Sequence, residues 1–262
     1  MTTRRTMPSF PTTPDDPRLD GWYHTIELGN GLVSKGVYDH RPVAGCYGLP
    51  ESLAGLRVLD VGTADGFFAF EMERRGADKV VAMDLATVGD CDWLPRMRPK
   101  IAWAGHDASW PRRFRMAHAM RGSNVEYHFA SVYELSPYMF GTFDLVFCGS
   151  LLLHLQNPLK ALTSIRSVTR SMAIIETTVD AEMEKRNPDA PVLSFGSPGK
   201  EDTPGRDNVY WVYTTAALRR MLEYADFAVT EAQPLFELSQ YGPTGSAVMA
   251  HTATPLGSPN AG

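Results

Sequence analysis

The chain has 262 residues, 44% of them hydrophobic and 21% charged, with a formal net charge of −5 at neutral pH. That length and apolar content suit one large domain with a substantial core, and the acidic balance speaks against the basic footprint of a nucleic-acid-binding domain. No run approaches the ~20 apolar residues of a membrane span, and the scattered, odd-numbered Cys46, Cys91 and Cys148 offer neither metal-ligand spacing nor a disulfide framework.

Residues 1–20 are polar and rich in Pro, Thr and Asp, as expected of a flexible tail without the apolar stretch of an export signal. Together with reduced thiols this places the protein in the cytoplasm. Residues 21–50 follow as an N-terminal segment. Trp22, Tyr23 and His24 alternating into Ile26 and Leu28 predict extended chain, and Asn30-Gly31 marks a hairpin turn. So aromatic a segment serves equally as a lid over a site or as cover for an apolar edge.

Residues 57–85, RVLDVGTADGFFAFEMERRGADKVVAMDL, organise the rest. VLDV reads as a buried parallel strand. A turn with Gly62 and Gly66 follows, then a helix through Phe67, Phe68, Phe70 and Met72, then a second strand, VVAM, ending on Asp84. Strand, glycine turn, helix, strand and acid open a nucleotide-binding α/β unit. Glycines bring backbone close to a ligand, the helix start offers free N–H groups, and Asp84 can accept hydrogen bonds from two ribose hydroxyls. Ala64 replaces the second glycine of a dinucleotide fingerprint, and no Gly-Lys-Ser/Thr marks a phosphate loop.

About 40 residues separate that acid from the next strand, VEYHF at 125–129, long for a compact sheet. The insert, about 87–121, holds Trp93, Trp103, His106 and Trp110 and a basic amphipathic helix over 112–120. Its arginines, Arg112, Arg113 and Arg115, fit a solvated helix face better than a nucleic-acid patch. The tryptophans either line a substrate pocket or fill the underside of the extra helix.

The loop after 125–129 carries Ser131 and Val132. The strand FDLVFCGS, 143–150, runs through Cys148 into Gly149 and Ser150, where parallel strands meet ligands at their carboxyl ends. Next comes LLLHLQNP, with Pro158 opening a helix over 158–168. His154, with an ordinary pKa near ~6.5, suits a general base; the other reading is a histidine that orders the loop. SMAIIETT at 171–178 is a fifth strand with Glu176 near its end, and 179–208 reads as a long loop. Tyr210 and Trp211 lead into a helix capped by Thr214 or Thr215, then 229–238 and 245–251 form an antiparallel hairpin. The end, 255–262, reads as disordered.

DVGTADG followed by MDL resembles the glycine motif and acidic loop of class I S-adenosylmethionine methyltransferases. The resemblance implies Asp60 near the methionine end of S-adenosylmethionine, Gly62, Thr63, Ala64 and Gly66 along it, and Asp84 with Leu85 at the ribose. It implies Ser131, Val132, Cys148, Gly149 and Ser150 as further cofactor contacts, and S-adenosylhomocysteine as the product. WYHTIELGNGLVSKG, FDLVFCGSLLLHLQNPLKAL, IIETT and DNVYWVYTTAALRRMLEYADF are similar to methyltransferases related to the tRNA wobble-uridine carboxymethyltransferase. That kinship implies Tyr23, His24 and Gly36 as cofactor or substrate neighbours. Two departures stand out: Leu153 occupies the position of the tyrosine that helps hold the extra carboxylate of carboxy-S-adenosylmethionine, and no strongly basic surface is evident.

The expected fold is α/β: a Rossmann-like, mostly parallel seven-stranded sheet with an antiparallel C-terminal hairpin and helices on both faces, over 51–254. The expected function is methyl transfer from S-adenosylmethionine to a small molecule, as in natural-product biosynthesis, by a monomer or homodimer that binds no metal, membrane or nucleic acid. A tRNA-modifying methyl- or carboxymethyltransferase and a non-catalytic S-adenosylmethionine-binding protein are the alternatives. His154 and then His24 are the candidate bases. Tyr23, Tyr210 and Trp211 form candidate aromatic walls around acceptor and sulfonium, with sheet-edge packing as the other reading of Tyr210 and Trp211.

Overall fold

The computed structural model describes residues 10–95, 109–196, 209–233 and 246–255. The N-terminal segment forms β1 (Asp20–His24), β2 (Glu27–Gly29), β3 (Leu32–Val33) and β4 (Lys35–Tyr38). β2 and β3 pair antiparallel across Asn30-Gly31, and β1 lies parallel to β4. Leu19, Trp22, Ile26 and Leu28 sit in one core with Val58, Phe67 and Phe70. The segment is therefore packed into the domain, and Leu19, expected in the flexible tail, is fully buried. Gly36 has a backbone reason to be glycine. A Cβ there would lie 2.1 Å from the His24 carbonyl carbon, so only glycine lets β4 come this close to β1.

Next come β5 (Arg57–Val61), α1 (Phe67–Arg74), β6 (Lys79–Asp84), α2 (Ser109–Arg121), β7 (Glu126–Phe129), α3 (Pro137–Phe140) and β8 (Phe143–Gly149). They are followed by α4 (Pro158–Val168), β9 (Thr169–Asp180), α5 (Ala181–Arg186), β10 (Leu193–Phe195), β11 (Trp211–Tyr213), α6 (Thr215–Tyr224), β12 (Phe227–Ala232) and β13 (Ser246–Pro255). Seven strands make the main sheet in the order β7-β6-β5-β8-β9-β13-β12. β5 to β9 run parallel, while β13 pairs antiparallel with both β9 and β12. β10 and β11 extend the sheet beyond the end of β8, through Tyr213 beside Val179.

Side chains alternate across the central strands, which explains why they read as unbroken apolar runs. Val58, Val80 and Ala82 face the core shared with α1, α2 and the N-terminal segment. Leu59, Val61, Val81 and Met83 face the core shared with α4 and α6. α4 has the expected bounds, with the Asn157 side chain accepting from the Lys160 N–H at 2.9 Å and Pro158 at the first helical position. Its buried Ala161, Leu162, Ile165 and Val168 recur at three- and four-residue spacing. Thr214 caps α6.

The described residues of the stretch expected as one long loop include regular elements. β9 continues to Asp180, whose side chain caps α5 through the Met183 N–H at 2.8 Å, and β10 pairs with β11. In the insert, Phe114 of α2 stacks on Phe70 of α1 with ring centroids 5.1 Å apart, and Trp93 is buried. Packing beneath the helix accounts for Phe114, while Trp93 donates its indole N–H to the Val88 carbonyl within the insert itself. Trp103 and His106 lie outside the described residues, as does part of the expected 229–238 strand.

Candidate functional site

The site is built where β5 turns into α1. Gly62, Ala64 and Gly66 all have positive φ, +76°, +49° and +103°. Two glycines in this turn meet that need without strain, and Ala64 takes it at some cost. The turn is stitched to β6: the Gly62 and Thr63 N–H groups both donate to the Met83 carbonyl, at 2.9 and 3.1 Å. The missing side chain at Gly66 does not open toward a ligand. A Cβ there would lie 2.6 Å from the Phe70 ring and 2.7 Å from Phe114. Gly66 serves packing, and the expectation of ligand against its vacant side needs that correction.

Asp84 closes the turn from the next strand. Its Oδ2 accepts the Ala64 N–H at 2.7 Å and its Oδ1 accepts the Leu85 N–H at 2.7 Å. A carboxylate has about four lone-pair sites, so each oxygen keeps capacity for another donor. Burial pushes its pKa up to about 6, against these two backbone bonds. Asp84 and Leu85 line a cleft of about 150 Å³ with Gly62, Ser131, Val132 and Leu151. Ser131 is held by a reciprocal cap, its N–H donating to Glu134 while its hydroxyl accepts from Tyr133 N–H. Asp92 shapes the rim, accepting from the Tyr133 hydroxyl at 2.7 Å and from Gln156. A more open hollow of about 480 Å³ between 27–33, Glu73 and Arg121 lies away from this turn.

Several expected site residues turn inward. Asp60 is 2% exposed and accepts the Thr63 hydroxyl at 2.6 Å, which locks the turn; burial raises its pKa to about 6. Cys148 is fully buried in the core, its thiol pushed upward chiefly by burial, so it can offer a ligand only backbone. Tyr210 is 3% exposed, and its hydroxyl donates to the Asp92 carbonyl and accepts the Leu94 N–H. It props up the start of the insert, so the reading of Tyr210 as an aromatic wall is withdrawn. Trp211 is half-buried at the sheet edge, donating to the Leu155 carbonyl at 2.8 Å and meeting Phe195 edge-on.

His24 also turns inward. Its Nδ1 lies 2.6 Å from Asp65 Oδ1, and its ring is enclosed by Tyr23, His40, Phe67 and Phe68. Asp65, fully buried in the glycine turn, also accepts the backbone N–H groups of Tyr23 and His24. This clasp fastens β1 to the turn, so His24 is structural rather than a base. His40 beside it stays neutral, burial driving its pKa down to about 2. Tyr23 is part-exposed above the clasp, with Tyr38 at 5.0 Å. His154 is half-buried in the single turn after β8, its N–H bonded to the Leu151 carbonyl.

Two residues escaped sequence reasoning as site members. Asp65 sat inside the glycine motif as an unremarked spacer. Glu176 sits on β9 beside Gly149, 2% exposed, and takes the Ser150 hydroxyl at 3.0 Å. Ser150 adopts φ +48° and also donates its N–H to the Glu176 carbonyl. Burial lifts the Glu176 pKa to about 8, opposed by Ser150. The available signal was an acid near the carboxyl end of an apolar parallel strand, the pattern that marked Asp84.

A family model described as a methyltransferase domain matches residues 45–232. Two ubiquinone biosynthesis O-methyltransferases, from Dechloromonas aromatica (strain RCB) and Xanthomonas euvesicatoria pv. vesicatoria (strain 85-10), are 33% and 32% identical over 43% and 45% of this chain. The matches span 39% and 40% of those relatives' lengths. Among solved structures, an S-adenosylmethionine-dependent methyltransferase from Mesorhizobium loti superposes with a TM-score of 0.55 at 18% identity, covering 82% of this chain and 97% of that one. The N-terminal domain of EvdMO1, determined with SAH and D-fucose, gives 0.60 at 18% identity over 90% and 92%. Both likenesses are of fold.

Proposed function

The chain belongs to the family of S-adenosylmethionine-dependent methyltransferase domains, and from that premise we propose that it moves a methyl group onto a small organic acceptor. The observation that carries the reading is Asp84. It sits at the tip of β6, fastened by two backbone N–H groups and with acceptor capacity left for a ribose diol. Ser131 and Val132, along the same cleft, suit an adenine. The turn from Gly62 to Ala64, with Gly149 and Ser150 beyond it, suits the methionine portion.

When bound, S-adenosylmethionine supplies a methyl on a sulfonium whose departing thioether needs no acid. The chain's own task is alignment and exclusion of water, which can supply several kcal/mol. His154, just past β8, is the candidate to take a proton from the acceptor. The part-exposed Tyr23 is the aromatic wall that remains.

Leu153 is buried and apolar, with no hydroxyl for an extra carboxylate, which supports the plain sulfonium cofactor over its carboxylated form. The kinship to the ubiquinone O-methyltransferases supports a small acceptor over tRNA. The unpaired Cys46, Cys91 and Cys148 support a cytoplasmic setting, and no helix among the described residues is long and apolar enough to cross a membrane. The test is titration calorimetry with S-adenosylmethionine, followed by a mass-spectrometric screen of small hydroxylated and amine acceptors. Binding with one methylated product is expected; no binding of the cofactor overturns the reading.

A further inference from the structure

Glu176 has no task in the alignment just described, yet its placement is specific. Asp84, the glycine turn, Gly149 and Glu176 lie in a row across β6, β5, β8 and β9, Glu176 being level with the carboxyl end of β8 although β9 itself runs on to Asp180. Neighbouring strands are about 4.8 Å apart, so the row spans roughly 14 Å. A nucleoside with its ribose at Asp84 and its base toward Ser131 and Val132, on the β7 side, carries its 5′ sulfur the other way, toward β8 and β9. That direction ends at Glu176.

Among the described residues no cation pairs with this carboxyl. Its side chain accepts from the Ser150 hydroxyl. The titratable groups facing it among the described residues are Tyr23 from β1, Tyr47 from the turn before β5, and Cys148 from β8. Tyr47 and Cys148 are neutral at pH 7, their ionisation pushed upward mainly by burial, and the ionisation of the Tyr23 phenol is shifted upward as well. Gly149 lets its neighbours close in on the strand: a Cβ there would lie 2.9 Å from the Phe147 ring and 3.2 Å from Glu176 Oε2. A buried carboxyl with a hydroxyl for company and burial raising its pKa to about 8 is mostly protonated near neutrality. A fixed positive charge brought alongside reverses that balance, because charges interact strongly away from bulk water.

Resting on the function proposed above, we propose that Glu176 is the counter-ion of the methyl donor's sulfonium, releasing its proton to solvent as the cation arrives. The consequence is selectivity between donor and product. The sulfonium has an ionised partner in the site, whereas the thioether left after transfer is uncharged at sulfur and gains nothing from a carboxylate. Glu176 thereby favours donor entry and product release.

The test is calorimetry with S-adenosylmethionine and with S-adenosylhomocysteine, in buffers of different ionisation enthalpy, on the wild type and Glu176→Gln. The wild type should release close to one more proton with the sulfonium than with the thioether. Its sulfonium affinity should rise toward the one-proton limit of about tenfold per pH unit between pH 6.5 and 7.5. Glu176→Gln should lose the extra proton and most of that slope, while its thioether affinity stays within about twofold of wild type, which also certifies its fold. Ser150→Ala removes a hydrogen bond that lowers the Glu176 pKa and should move the proton-release midpoint upward. Equal proton counts in wild type and Glu176→Gln, with the sulfonium still bound, overturn the counter-ion role and leave the methyltransferase reading intact. Failure of the wild type to bind the sulfonium overturns that reading itself.

Discussion

Replacing Asp84 by alanine tests the ribose assignment directly. The substitution removes the acceptor for Ala64 N–H and Leu85 N–H, both at 2.7 Å, together with the capacity proposed for two ribose hydroxyls. A hydrogen bond to a charged group contributes about 1.5–3 kcal/mol. Losing two to the ribose should weaken S-adenosylmethionine binding by about 3 kcal/mol, roughly a hundredfold, with tenfold as the least acceptable effect. The thioether product should lose as much, since its ribose is the same. Asp84→Asn keeps one oxygen and should fall between. Asp84 has its pKa raised to about 6, so lowering the pH through 6 protonates it and should weaken wild-type binding. That component of the pH response should vanish in the alanine variant. The assay is calorimetry at pH 7.5 and pH 5.5, with a melting curve for each variant. Unchanged affinity in a variant that melts like wild type would refute the ribose assignment and, with it, the orientation that points the sulfur toward Glu176.

Asp65→Ala opens the clasp between the glycine turn and β1, stranding His24 and two backbone N–H groups in the interior. Breaking a buried pair of this kind costs about 3 kcal/mol or more, or roughly 10 °C of melting temperature in a domain of this size; a shift under about 2 °C would show the clasp to be dispensable. His154→Ala should reduce turnover on whatever acceptor the screen identifies while leaving cofactor affinity near normal, and unchanged turnover would mark His154 as a residue that merely orders its loop. For Glu176, the folded pKa of about 8 lies above the ordinary 4.5. Between those values the folded chain holds more protons than the unfolded one, so this contribution to stability is full below about 4.5 and lost as pH rises through about 8. The melting temperature of the cofactor-free protein should therefore decline from pH 6.5 to 8, and Glu176→Gln, which keeps the shape of the protonated acid, should decline less; parallel curves would show that burial does not hold the proton.

What the sequence determined by itself was everything that short-range pattern encodes. The apolar runs at 58–61 and 80–83, the glycines between them and the terminal Asp84 report burial, backbone sign and charge at neighbouring positions, and these suffice to specify a strand–turn–helix–strand unit. Asn157-Pro158 and the spacing of Ala161, Leu162, Ile165 and Val168 likewise set α4 to the residue. Tertiary structure decided whatever depends on partners distant in the chain. His24 looks like a pocket aromatic until Asp65, 41 positions away, is found taking its N–H and lying 2.6 Å from its ring nitrogen. Gly36 and Gly66 look like ligand contacts until the His24 backbone and two phenylalanine rings are found in the space a side chain would need. Tyr210 points its hydroxyl to Asp92 across 118 positions. Glu176 acquires its meaning from the row of strand ends that sets it opposite Asp84, and from burial that removes the water able to keep it charged. Local propensity acts through a residue's own backbone and its nearest turns, whereas the identity of a side chain's neighbours, and so its charge and chemical use, is created only when the sheet assembles.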